Sequence, residues 1–167
     1  MLNFPDFRAF ERSYQLMSQV SGRAGRKGKR GKVVIQTYNP QHQVIQQVIN
    51  HDFEGMYSNE IIERRNFKYP PFHRLIKLTL RDRDVHKLNA SADRLANELK
   101  AVFGPRVLGP EFPGIARVRN YYLKNILLKI EKEASITKAK EILSQKLNEF
   151  SADKSNKSIR LGIDVDP

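Results

Sequence analysis

The 167-residue chain has no cysteine, no tryptophan, few acids relative to bases and no long apolar run. Without cysteine there is no disulfide framework and no thiolate site for zinc or an iron–sulfur cluster, and the four histidines show no ligand spacing of the HExxH kind. A membrane-spanning helix needs about 20 consecutive apolar residues. The opening MLNFPDFRAF puts an acid and a proline where a signal peptide needs a basic start and an apolar stretch. The expectations are therefore no bound metal, no membrane association and a cytoplasmic location.

Scarcity of acid sets the charge: 18 Asp and Glu stand against 30 Lys and Arg, giving a formal net charge of +12. Such a surplus on a folded chain predicts a polyanionic partner, because neutralising phosphates releases condensed counterions. Nucleic acid leads. A solvated basic surface is the plain alternative, and a membrane surface is weaker because no basic amphipathic helix with Trp or Phe anchors is present. Hydrophobic residues at 40% are enough to close a core.

Half of the net charge lies in residues 1–32, where Arg8, Arg12, Arg23, Arg26, Lys27, Lys29, Arg30 and Lys32 face only Asp6 and Glu11. Glu11 to Val20 reads as a short helix ending at a turn, Ser21-Gly22-Arg23-Ala24-Gly25-Arg26. Val33 to Thr37 has the β-branched content of a strand, and Gln41–His51 and Phe53–Asn66 read as helices. Residues 1–68 begin abruptly and supply few strands, so they are expected to be the tail of a larger α/β domain.

Tyr69-Pro70-Pro71-Phe72 is the strongest punctuation, since successive prolines forbid helix continuation. A second unit, 69–167, follows. Leu75 to Arg81 alternates as a half-buried strand, and Asp84 caps a helix with Leu88, Ala92, Leu95, Leu99 and Val102 in register, closed by Gly104-Pro105. Arg106–Gly109 reads as a short strand, Ala116–Ile130 contains a longer one, Ser135–Phe150 is a second amphipathic helix, and Ile159 to Val165 alternates as a last strand. The order β-α-β-β-α-β predicts an α+β fold of the ferredoxin-like kind, two helices on one face of an antiparallel sheet.

Gln19 to Arg26, QVSGRAGR, carries the densest chemistry. Glycines around Arg23 leave a tight backbone from which Arg23 and Arg26 can present guanidinium forks to a polyphosphate. This segment resembles motif VI of superfamily-two helicases, Q-x-x-G-R-x-G-R, formed here by Gln19, Gly22, Arg23, Gly25 and Arg26. Further matches are Pro5-Asp6-Phe7-Arg8-Ala9 with Glu11-Arg12 and Gln15, Gly31-Lys32-Val33-Val34-Ile35-Gln36-Thr37, Arg64-Arg65, Tyr69-Pro70-Pro71-Phe72, Gly109-Pro110 and Asp164-Val165-Asp166-Pro167. In that order they resemble the C-terminal portion of the primosomal replication-restart DNA helicases, the PriA family, over essentially the whole chain.

The resemblance implies a RecA-like second-lobe remnant (1–68) joined to a C-terminal domain similar to ribosomal protein S10 (69–167) that contributes to DNA binding. It implies a bacterial, nucleoid-associated parent with three-prime to five-prime, ATP-dependent helicase and ATP hydrolase activity that restarts replication at stalled forks. Arg23 and Arg26 would be its catalytic arginine finger, with Gln19, Gly22 and Gly25 in the same nucleotide motif. ATP and Mg²⁺ would serve the full-length parent, zinc its Cys-rich region, and partners would be single-stranded and forked DNA, single-stranded DNA-binding protein and other primosome proteins. This chain departs from that pattern: it has no G-x-x-x-x-G-K-[ST] loop, no acidic Walker B cluster and no zinc cysteines. It looks truncated, and the expectation is that alone it binds no cofactor and hydrolyses no ATP.

Each candidate has a plainer reading beside it. Gln19 could link nucleotide to the lobe or cap a backbone group, and the run Lys27 to Lys32 is a hairpin tip or a DNA contact. Tyr121 and Tyr122 with Arg117, Arg119 and Lys124 combine stacking faces with cations, as single-strand binding requires, although adjacent strand residues point to opposite faces. Lys77, Arg81 and Arg160 form either a phosphate track or an ordinary exposed face. His42, His51, His73 and His86 are surface or capping residues. Asp164 and Asp166 are a strand-end acid pair meeting a basic neighbour, with a metal site the rarer alternative. A non-enzymatic nucleic-acid-binding or ribosome-associated module with an S10-like fold is the competing function; the helix before Gln19 and the strand after Lys32 favour the helicase.

Overall fold

The computed structural model describes residues 6–24 and 31–167. The chain divides into two compact units, Met1–Phe67 and Lys68–Pro167.

Among the described residues the first unit holds three helices, α1 (Ala9–Arg23), α2 (Gln43–Ile49) and α3 (Phe53–Asn66). Local chemistry sets where they begin: His42 Nδ1 accepts from Val44 N at 3.2 Å, and Asp52 Oδ1 accepts from Gly55 N at 2.8 Å. Tyr14, Val44, Val48 and Met56 form the core, with Phe10, Met17 and Ile35 against it. Arg64 of α3 donates to Glu11 of α1 at 2.7 Å and to Glu60 at 3.3 Å. Burial pushes the Glu60 carboxyl above its usual range, and the adjacent Arg64 guanidinium only partly offsets this.

Three expectations are corrected here. α1 does not stop at Val20 but runs through Arg23, so Ser21 and Gly22 are helical rather than a turn. Ser21 Oγ donates back to Met17 O at 2.8 Å, which lets serine remain inside a helix. α2 is shorter than expected because His42 serves as its N-cap and Asn50 as its C-cap. Residues 33–37 form no strand; Val34 is 79% exposed and only Ile35 reaches the core. β-branched composition suits a strand only beside a partner, and among the described residues this unit has no other strand.

The second unit is a mixed α/β layer structure: β1 (His73–Asp82), α4 (Val85–Phe103), β2 (Val107–Glu111), β3 (Arg117–Val118), β4 (Tyr121–Glu131), α5 (Ile136–Ala152) and β5 (Arg160–Val165). The strands form one antiparallel sheet in the order β2-β4-β1-β5, with β3 added at the end of β4. Register fixes the faces. Ile76, Leu78 and Leu80 stand opposite Leu128, Ile126 and Lys124, and the apolar members of this set join Leu88, Leu95, Leu99, Leu143, Leu147 and Phe150 in one core. Both helices therefore cover the same face. The odd-numbered β1 residues from Leu75 onward, Leu75, Lys77, Thr79 and Arg81, line the other one.

Asp84 Oδ1 accepts from His86 N and Lys87 N and starts α4; Gly104, at φ 59°, ends it. Gly109 adopts φ 91° where β2 shifts register, and a Cβ there would stand 2.7 Å from Asn125 O, so only glycine fits. The longer strand expected within Ala116–Ile130 is β4, and ahead of it stands a hairpin the sequence did not announce: Arg119 (φ 47°) and Asn120 (φ 65°) make a two-residue turn of the I′ type between β3 and β4.

Candidate nucleic-acid interface

The C-terminal end of β1, the N-terminal ends of β4 and β5, and the β3–β4 turn converge at one end of the sheet. Arg81 lies directly opposite Arg160 in the β1–β5 register. Like charges across a strand pair cost stability, so this pair needs a counter-charge from elsewhere. Tyr121 belongs to the same open region: the Arg160 guanidinium lies 4.9 Å from its ring centroid and that of Arg83, just beyond β1, lies at 5.3 Å.

Adjacent residues on β4 face opposite ways, and the structure splits the two tyrosines accordingly. Tyr122 pairs with Asp82 and Arg117 on the helix side, its ring 5.0 Å from the Arg117 guanidinium, and it packs against the core. Lys124, in register with Leu80, places Nζ 4.3 Å from the centroid of Phe112. Arg119 occupies the hairpin tip, and Arg117 donates to Asn120 Oδ1 at 3.0 Å. Lys77, farther along the open face, is paired with Asp164 at 3.5 Å. The cationic residues read together in the sequence thus form two groups on opposite faces, with Arg119 between them.

Charge balance supports an anion-binding role. Elsewhere, Arg12, Arg64, Arg74, Arg94 and Arg106 each meet a carboxylate at 3.3 Å or less. Among the described residues, Arg81, Arg83, Arg117, Arg119, Lys124 and Arg160 form no salt bridge, and four of them turn to aromatic faces instead. The nearest β1 acid is committed: Asp82 is 4% exposed and accepts from Ser158 Oγ at 2.5 Å and Asp84 N at 2.8 Å. Burial pushes its carboxyl up, but these donors and Lys87 outweigh it and hold it below the usual range. Asp164 and Asp166 meet Lys77 and Arg74, and among the described residues no His, Asp or Glu group could hold a metal.

In the first unit, Arg23 sits exposed in the last turn of α1, and Gln19 is exposed one turn earlier on the same side. A cation at that position also complements the helix dipole. Arg26, Gly25, Lys27, Lys29 and Arg30 lie outside the described residues, so the common projection expected of Arg23 and Arg26 does too. His42 caps α2 as anticipated.

Sequence reasoning missed Arg83 and Phe112. The parity of Lys77, Thr79 and Arg81 carried one step past the strand would have assigned Arg83 to the open face. No spacing signal marked Phe112, which lies between strands.

A family model described as the primosomal protein N C-terminal domain matches residues 65–167. The chain is 38% identical over 168 residues to the replication restart protein PriA of Bacillus subtilis (strain 168), covering 99% of this chain and 20% of that protein. It is 36% identical over 172 residues to that of Synechocystis sp., covering 100% and 19%, and 37% identical over 168 residues to that of Treponema pallidum, covering 99% and 25%. The chain thus spans a quarter or less of the length of these relatives.

Proposed function

Since the chain belongs to the family of the primosomal protein N C-terminal domain, we propose that it is the C-terminal portion of an ATP-dependent three-prime to five-prime DNA helicase that restarts replication at stalled forks. In this reading Met1–Phe67 is the remnant of a RecA-like second lobe and Lys68–Pro167 is a ferredoxin-like, S10-like DNA-binding domain. The strand order β2-β4-β1-β5 with both helices on one face supports the latter. The observation that carries DNA binding is the opposed Arg81–Arg160 pair beside Tyr121, cations with no carboxylate partner on an open sheet face.

Arg23 is the arginine finger, with Arg26 as its companion and Gln19, Gly22 and Gly25 in the same motif. ATP and Mg²⁺ belong to the full-length parent, where bound nucleotide supplies the phosphoryl group to be hydrolysed. The exposed Arg23 at the end of α1 suits contact with a phosphate presented by another domain. This chain's residues do not suit zinc, since it has no cysteine, and any zinc site belongs to a Cys-rich region of the parent. Single-stranded DNA-binding protein and other primosome proteins are the proposed partners, in the bacterial cytoplasm. No helix among the described residues is long and apolar enough to cross a membrane.

The test has two arms. Fluorescence anisotropy should give weak binding of a labelled single strand with a steep salt dependence, and the chain alone should show no DNA-stimulated ATPase. In the full-length parent, Arg23→Ala should reduce ATP hydrolysis roughly a thousandfold. Absence of DNA binding at low salt, or ATPase unchanged by Arg23→Ala, would overturn the respective half of the proposal.

A further inference from the structure

We propose that Arg81, Arg83 and Arg160 form a clamp for the phosphodiester backbone of a DNA strand, in which Tyr121 is a positioning residue and not a platform for bases. This rests on the DNA-binding reading above and assigns its chemistry. A stacking tyrosine needs an open ring face. Tyr121 is half-buried, and two guanidinium groups lie against it, Arg160 at 4.9 Å and Arg83 at 5.3 Å from the centroid. The negative face of the ring attracts each cation, so the tyrosine holds the two guanidiniums together against their mutual repulsion.

Arg81 completes the set from the neighbouring strand, opposite Arg160. The nearby carboxylates have partners of their own: Asp164 meets Lys77 at 3.5 Å, Asp82, of opposite parity on β1, accepts from Ser158 and the Asp84 amide, and Asp84 accepts from the His86 and Lys87 amides as the cap of α4. Two of the planar forks, from β5 and from the segment after β1, converge on Tyr121, and the third, from β1, lies on the same open face with its Nη2 against Gly162 of β5; among the described residues none of the three forms a salt bridge. Guanidinium forks match phosphate oxygens in pairs, and phosphate contacts are indifferent to base identity.

The experiment measures binding of the whole chain to a labelled oligodeoxynucleotide and to its counterpart with abasic sites in place of every base. The clamp predicts affinities equal within about twofold, because the phosphates are unchanged. Arg83→Ala should weaken both strands about fivefold at 0.1 M salt and flatten the salt slope by about 0.7, the value of one phosphate contact on a single strand. Tyr121→Phe, which keeps the ring, should bind as the parent chain does. Tyr121→Leu should weaken both strands alike, with circular dichroism confirming the fold. A stacking platform gives the opposite pattern: the abasic strand binds tenfold or more weakly, and Tyr121→Leu affects only the base-bearing strand. That outcome, or indifference to Arg83→Ala, overturns the clamp while leaving DNA binding intact. No binding of either strand at any salt overturns both readings.

Discussion

Asp82 ties the end of β1 to the segment before β5, and replacing it with asparagine isolates the contribution of its charge. Shape is preserved, and the asparagine oxygen can still accept from Asp84 N. The change falls on the short bond from Ser158 Oγ, 2.5 Å in a site where the residue is 4% exposed. A hydrogen bond to a charged group contributes about 1.5–3 kcal/mol, which is the loss expected for Asp82→Asn at neutral pH. The pH dependence carries the sign. The folded carboxyl is held below its ordinary value, first against the upward push of burial, by the Asp84 amide, the Ser158 hydroxyl and Lys87. Its contribution is therefore complete above the unfolded value of about 3.9 and disappears as pH falls through the lower folded value. Urea unfolding followed by circular dichroism should show a gap between the two proteins that is constant between roughly pH 7 and 5 and closes only below about 4. A gap of the same size at every pH, or no gap at neutral pH, would refute the account.

Leu95, fully buried on the core side of α4, should cost about 2–5 kcal/mol when changed to Ala, read from the urea midpoint at unchanged m-value. Arg64→Ala removes the partner of the buried Glu60 and should cost about 1–3 kcal/mol near neutral pH. Glu60, its pKa already raised by burial, would rise further, so that loss should shrink on acidification toward pH 5, seen by thermal melts at the two pH values. Arg119→Gly relieves a left-handed backbone at the hairpin tip and should add about 0.5–1 kcal/mol; a loss of stability would mean that the arginine side chain, not the turn, holds the hairpin.

Elements whose sequence carries both period and boundary chemistry were legible. α3 spans Phe53–Asn66 as its pattern indicated, and α4 lies between the Asp84 cap and Gly104. The alternation of Leu75 to Arg81 and of Ile159 to Val165 located β1 and β5, because period two reports which face is buried. What failed depends on partners. Val33 to Thr37 has strand composition but no neighbouring strand among the described residues, and Gly22 is tolerated by a helix whose direction was already set. The β3–β4 turn escaped notice because Arg119 occupies a position where asparagine or glycine is the usual signal. At the candidate site, the opposed tyrosines followed from parity. The convergence of Arg83 and Arg160 on Tyr121 depends on strand order, which no local pattern contains.

The first and last strands of the second unit are hydrogen-bonded neighbours. Their outer ends are fastened three times, by Arg74 to Asp166 Oδ2 at 2.7 Å, by Leu75 N to Asp166 Oδ1 at 3.0 Å and by Asp166 N to Leu75 O at 2.8 Å. A unit whose entry and exit lie side by side behaves as a cassette. It can be spliced into a host chain at a single surface position without prising the host apart, and circular permutation opening it at the Arg119–Asn120 turn would leave every strand pair of its four long strands intact. A pull on the polypeptide entering the unit would accordingly be felt at one corner of the sheet, at the Arg74–Asp166 bond, a full strand length from the cationic cluster at the other end of β1.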